Sequence, residues 1–155
     1  MRRKELETTK EFALALFDQC VYATLATVRP NNTPYCIPIS IVRDGAYIYF
    51  HCAKAGEKVE NLGHCASVCL SCVGNTHVPE GQFSVGFESA VLFGTATEVL
   101  ETEEKRHALR ILSQRHTPAN MPAFDVYVEK FIAVTGVWKV KIEEISGKAK
   151  KYPKL

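Results

Sequence analysis

Apolar positions along the chain switch between two periods, and the switches mark its elements. Behind Thr8-Thr9-Lys10-Glu11, which has the T-x-x-E form of a capping box, Phe12, Ala13, Leu16 and Phe17 recur at helical spacing and predict a first helix to about Gln19. Val21 to Val28 is β-branched and ends at the turn formers Arg29-Pro30-Asn31-Asn32-Thr33. A second strand is predicted from Pro34 to Val42. The Asp44-Gly45 turn should return it antiparallel as a third, Ala46 to His51, so that three strands form a meander. Gly56 to about Cys65 reads as a short helix with Val59 and Leu62 on one face, followed by a strand over Val68 to Val73 and a loop from Gly74 to Gln82. Phe83 to Leu100 is one long strand or a bent pair, with Gly86 and Gly94 expected at bulges or close backbone approaches. The strongest helix runs from Thr102 to about Arg115, buries Ala108, Ile111 and Leu112, and is ended by Pro118 and Pro122. A short helix over Asp125 to Phe131 and a last strand over Ala133 to Ile145, carrying Val134, Val137, Val140 and Ile142, complete the pattern. These elements predict a mainly β protein, a six-stranded antiparallel barrel with flanking helices.

Composition narrows this little. The 155 residues are enough for a proper core but short for two, so residues 1–155 are read as a single domain. With 46% apolar and 23% charged residues the chain should fold as an ordinary globular protein. A net charge of +2 argues for no nucleic-acid partner. Met1-Arg2-Arg3-Lys4 leads into glutamates instead of an apolar segment, and no apolar run reaches the roughly 20 residues of a membrane helix. Both point to no membrane and to the cytoplasm. Cys65, Cys69 and Cys72, flanked by His64 and His77, superficially resemble a metal cluster, but Cys69 and Cys72 on one strand would face opposite ways. The favoured reading is therefore no metal, with reduced cysteines acting as small hydrophobes.

Chemistry concentrates in Tyr47 to Lys58, an apolar strand that breaks at a glycine turn into a helix start. Free backbone N–H groups and Lys58 would there face an anion. GxGxxG, GxxxxGK[ST], GxSxG and HExxH are all absent. His51 closes the strand at the mouth of the expected pocket, where its ring either meets a ligand or simply ends a strand in solvent. Lys58 opposes its helix dipole, which calls for an anion nearby, and Pro38 inside a strand implies an edge or an unpaired backbone position.

Tyr49-Phe50-His51-Cys52-Ala53-Lys54-Ala55-Gly56-Glu57-Lys58, the preceding Pro34-Tyr35-Cys36-Ile37-Pro38-Ile39-Ser40 and the later Phe87-Glu88-Ser89-Ala90-Val91-Leu92-Phe93-Gly94-Thr95-Ala96 resemble the FMN-binding split barrel of the pyridoxamine 5′-phosphate oxidase superfamily. Within it the chain is most similar to the nitroimidazole-resistance, or NimA-like, branch, over about Glu11 to Lys150 and including Ser146-Gly147-Lys148. The resemblance implies a homodimer with two FMN molecules at the subunit interface, the flavin ring along the second and third strands and its phosphate at the turn after the third. It implies that Ile37, Pro38, Ile39 and Ser40 present backbone and small side chains to the ring and ribityl chain, that His51 lies next to the flavin, that Cys52 and Gly56 supply backbone contacts at the phosphate, and that Lys58 is the cation there. Glu88 and Ser89 match a polar pair that would reach the flavin of the partner subunit. Pyridoxamine-phosphate oxidases proper carry an arginine where Ile37 stands and arginine and histidine in the tail, so Lys148 to Leu155 argues against vitamin B6 oxidation. The implied function is an FMN-dependent oxidoreductase reducing a small electron-poor, nitro-type compound, with His51 as proton donor or orienting group. The alternatives are a non-catalytic flavin- or nucleotide-binding or redox-sensing module and a haem- or deazaflavin-binding relative.

Overall fold

The computed structural model describes residues 3–150. In chain order it contains α1 (Lys10–Gln19), β1 (Ala23–Val28), β2 (Pro34–Ile39), β3 (Val42–Asp44), β4 (Tyr47–Ala53), α2 (Glu57–His64), β5 (Ser67–His77), β6 (Gly86–Glu98), α3 (Thr102–His116), a 3-10 segment (Pro118–Ala123), α4 (Phe124–Phe131) and β7 (Thr135–Lys150). All strand pairs are antiparallel, in the order β2-β1-β5-β6-β7-β4-β3.

That order forces closure. The two edge strands, β2 and β3, are consecutive in the chain and separated only by Ser40 and Ile41. A flat sheet of this width would hold its edges roughly 29 Å apart, whereas the link spans at most about 11 Å. The sheet must curl until its edges meet. β2 and β3 are thus two halves of one bent strand, and the expected six-stranded antiparallel split barrel forms with its second strand divided. The predicted continuous strand from Pro34 to Val42 breaks at Ser40-Ile41 because its first half pairs with β1 and its second with β4. The meander is corrected accordingly: only β3 returns through the Asp44-Gly45 turn. Pro38 sits on the edge strand β2, exposed, where its missing N–H costs no ladder bond.

The barrel interior is filled by alternate residues of each strand, Leu25, Ile48, Phe50, Leu70, Leu92 and Val140 among them, and α1 lays Ala13, Leu16 and Phe17 against it. A second cluster outside the barrel wall joins Tyr49 and Val137 to Ala108 and Leu112 of α3. Alternation puts Cys72 inside and Cys69 outside, as its strand period required. A β-carbon on Gly94 would stand 2.0 Å from the Lys141 carbonyl oxygen, beside a register shift between β6 and β7, so this glycine marks both a bulge and a close approach. Gly86 instead opens β6 opposite His77, and the β5–β6 irregularity lies at Val73/Thr76.

Other boundaries move for local reasons. Thr9, not Thr8, caps α1 by accepting from the Phe12 N–H, so the Thr8–Glu11 capping box is not formed. The 74–82 loop shrinks because β5 continues to His77, and β7 runs on to Lys150 to pair with β6. On α3 the capping acceptor is the Glu101 carboxylate, and Lys105 is buried where Ile111 was expected, Ile111 being half-buried. The tail from residue 151 onward lies outside the described residues, and among these no helix is long and apolar enough to cross a membrane.

Candidate functional site

β4 delivers the site because its two faces have different neighbours. Ile48 and Phe50 point into the barrel, so Tyr49 and His51 must point outward, toward α3. The helical excursion between β6 and β7 covers this outer face. α3 is pinned to it by the Tyr49 hydroxyl donating to Glu104 at 2.9 Å, by Lys139 bonding both Glu104 oxygens, and by the His107–Asp44 pair at 2.8 Å. At its other end Arg115 donates to the Phe17 and Cys20 carbonyls, and His116 Nε2 donates to the Ile41 carbonyl at 2.8 Å. α4 is tied to α3 through Arg106–Glu129 at 2.8 Å, Arg110–Asp125 at 2.5 Å and the Arg110 guanidinium stacked 4.4 Å from the Phe124 ring.

Between these helices and the strand end lies a cavity of about 850 Å³. Ser40, His51 and Thr135 form its barrel side. Leu109, Leu112, Ser113 and His116 of α3 form one helical wall, and Phe124, Tyr127, Val128 and Phe131 of α4 the other. This volume is that of a small-molecule site. His51 stands at its mouth, accessible at its edge yet crowded by protein. Loss of hydration, reinforced by the charges of Lys58 and His116, pushes its pKa below the usual imidazole value. Its neutral form is favoured.

One turn beyond, the chain reaches α2. Gly56 opens the helix at φ +118° and ψ 167°, with open space where a β-carbon would be, and no side chain caps this end. The Gly56 carbonyl accepts from the Val59 and Glu60 N–H groups, which leaves the N–H groups before them pointing outward. Lys58 is half-buried with its ammonium 5.6 Å from the Phe50 ring centre. Glu57, which would repel an anion, is drawn aside by Arg29 at 2.5 Å. Burial raises the Cys52 thiol pKa, and the nearby Lys58 partly opposes this.

The expected site residues thus divide into three groups. Ser40 and His51 share the cavity, and Cys52, Gly56 and Lys58 follow directly along β4 and into α2. Ile37, Pro38 and Ile39 form the last residues of edge strand β2, with Ile39 buried, Ile37 packed against the core and Pro38 exposed. Glu88 and Ser89 are elsewhere. Ser89 pairs with Lys148 and His51 with Val137, which puts them roughly 35 Å apart along β7. Glu88 there accepts from the backbone and side-chain nitrogens of Asn75. Within one chain they do not meet the cavity. Sequence reasoning missed the helical wall and Arg29. The available signal was Leu109, Leu112, Ser113 and His116, an i, i+3, i+4, i+7 stripe whose last two members are polar.

A closed antiparallel barrel split along a bent strand, with a helix-covered cleft outside its wall, defines a split-barrel protein. The chain belongs to the pyridoxamine 5′-phosphate oxidase family, whose profile matches residues 9–149. Similar solved structures include a candidate 5-nitroimidazole antibiotic resistance protein from Bacteroides thetaiotaomicron, 23% identical with a TM-score of 0.76, covering 92% of this chain and 86% of that one. A flavocytochrome from Azotobacter vinelandii is 24% identical with a TM-score of 0.83, covering 100% of this chain and 74% of that one. An FAD- and haem-binding protein from Mycobacterium smegmatis is 25% identical with a TM-score of 0.80, covering 95% of this chain and 74% of that one. Among curated protein sequences none matches the chain significantly.

Proposed function

We propose that this protein is an FMN-binding homodimer, with cofactor at the subunit interface, that acts in the cytoplasm as an oxidoreductase on a small electron-poor, nitro-type compound. The observation that carries the reading is the placement of His51. It stands between a neutral cavity on its helical side and, on its chain-forward side, an uncapped helix start bordered by two cations, Lys58 and Arg29.

The residues present suit the cofactor. An uncapped first turn opened by a positive-φ glycine lets backbone N–H groups approach a phosphate closely, and Lys58 neutralises it. Ile37 cannot supply the arginine of the oxidases proper, and Arg29 borders the same helix end in its place. Ile37, Pro38 and Ile39 pair with β1 on one side only, so the outward backbone groups of this edge strand, with Ser40 at the break between β2 and β3, can meet the polar edge of a flat ring. Bound FMN would supply the electrons or hydride. His51, favoured neutral, holds one ring N–H and one lone pair and so can orient a substrate or pass a proton without adding charge. Glu88 and Ser89, remote from His51 in their own chain, are assigned to the site of the partner subunit.

A fluorescence titration with FMN and riboflavin tests this. Wild type should bind FMN much more tightly than riboflavin, and Lys58→Ala should remove most of that preference, since riboflavin lacks the phosphate. Equal affinity for both ligands would overturn the phosphate assignment. A haem in the cavity is the second reading, favoured by the two imidazoles, His51 and His116, that line one largely apolar space.

A further inference from the structure

We propose that the cavity between the end of β4 and helices α3 and α4 is a binding site for an uncharged, flat aromatic molecule that donates a hydrogen bond to His116. As the substrate pocket of the proposed reductase it rests on the flavin reading. As a binding site it does not, and the test below separates the two.

Charge is the first argument. Among the described residues that line the cavity there is no aspartate, glutamate, lysine or arginine. A carboxylate or phosphate entering it would lose its hydration without gaining a cation, and an ammonium would find no carboxylate. The helical walls are uncharged and largely aromatic and aliphatic, with Leu109, Leu112, Phe124 and Val128 in them, and Tyr127 and Phe131 stand with ring centres 4.6 Å apart at the rim, so flat apolar surface is what they can bury. The second argument is one acceptor of fixed direction, set among the hydroxyl, amide and imidazole groups of Ser40, His51, Ser113, Thr117, Asn120 and Thr135 that also line the cavity. His116 Nε2 faces the Ile41 carbonyl at 2.8 Å, and a carbonyl only accepts, so that nitrogen carries the hydrogen. Whenever the ring carries only that hydrogen, Nδ1 is a bare acceptor, fixed in direction by an anchored imidazole on a pinned helix. A ligand N–H or O–H group satisfies it. The ring is held in place by the barrel itself, since Ile41 lies in the two-residue link that closes the sheet.

The test compares 4-nitrobenzamide with 4-nitrobenzoate, which share ring and shape but differ in charge and in donor. Each is titrated calorimetrically into the purified full-length protein with whatever cofactor it retains. The amide should bind, and the carboxylate should bind at least about tenfold more weakly, one unpaired buried charge being ample for that. Ser113→Phe, which fills the cavity from α3, should abolish amide binding. Ala123→Trp, on the exposed 3-10 segment and clear of the core, should weaken it even if Ser113→Phe proves unstable. His116→Gln keeps a donor toward Ile41 but removes Nδ1, and should weaken the amide about two- to tenfold while leaving the carboxylate unaffected. Equal binding of the two probes, no binding of either, or full amide affinity in Ala123→Trp would overturn the proposal. So would loss of a bound flavin from Ser113→Phe, because the cavity would then belong to the cofactor. Colourless protein that still binds the amide would sink the flavin reading and spare this one.

Discussion

Replacing Gly56 by alanine isolates a single physical term. At φ +118° and ψ 167° an L-residue is strained, yet nothing stands within 4 Å of the β-carbon it would add, so no packing clash contributes. The cost is backbone strain alone, about 1–3 kcal/mol. For a chain of this size each kcal/mol moves the melting temperature by about 2–4 °C, so Gly56→Ala should melt roughly 2–12 °C lower. Gly63, in the same helix, is the control. It too has open space around it but no positive φ, and Gly63→Ala should stabilise by up to about 1 kcal/mol. The assay is calorimetric melting of both variants without added flavin, together with hydrogen exchange at the Val59 and Glu60 amides, whose bonds to the Gly56 carbonyl report on the turn. If Gly56→Ala escapes strain by relaxing the turn, those amides lose protection and FMN affinity falls with them. Two variants that melt together, with unchanged exchange, would refute the account of how α2 begins.

Three further outcomes are expected. Gly94→Ala drives a β-carbon to within 2.0 Å of a backbone oxygen, a collision only strand separation relieves, and should cost roughly 2–4 kcal/mol in urea unfolding, against near-neutrality if the strands adjust freely. His51 has a folded pKa below its unfolded value, so the unfolded chain takes up the proton first. Stability should therefore fall as pH drops below about 6.5, and the difference between wild type and His51→Gln should decrease between pH 7.5 and 5; a difference independent of pH contradicts the shift. Cys20, held by a hydrogen bond from Cys72 and with the Arg115 guanidinium 4.0 Å from its sulfur, has its thiol pKa lowered to about 7. Its alkylation by iodoacetamide, followed by mass spectrometry, should titrate near pH 7 and shift upward in Cys72→Ala, which lacks the donor, whereas a midpoint near 8.5 in both would remove that pairing.

The barrel was legible because strands and turns carry local signals. The 2.0 period of β5, the Asp44-Gly45 turn and the glycine at 94 each act within a few residues. What was not legible is long-range. Nothing local says that Pro34 to Val42 divides between two partners, since the break at Ser40-Ile41 follows from closing the sheet. The His51 end of the site was readable from one continuous stretch, Tyr47 to Lys58. Its opposite wall was not, because His116, Tyr127 and Phe131 become neighbours of His51 only when α3 docks through Glu104, His107 and Arg115, contacts that span 55, 63 and 98 residues. Arg29 reads as part of a turn in the sequence, and its place at the start of α2 depends on Glu57, 28 residues away.

The central claim is that the family's barrel here holds FMN beside His51. The visible absorbance spectrum of the purified full-length protein tests it most directly, before and after heat release of the chromophore for identification by mass. The account predicts flavin bands in the folded protein and FMN in the released fraction, in about one equivalent per chain. A Soret band, or a protein that stays colourless after incubation with excess FMN, would contradict it.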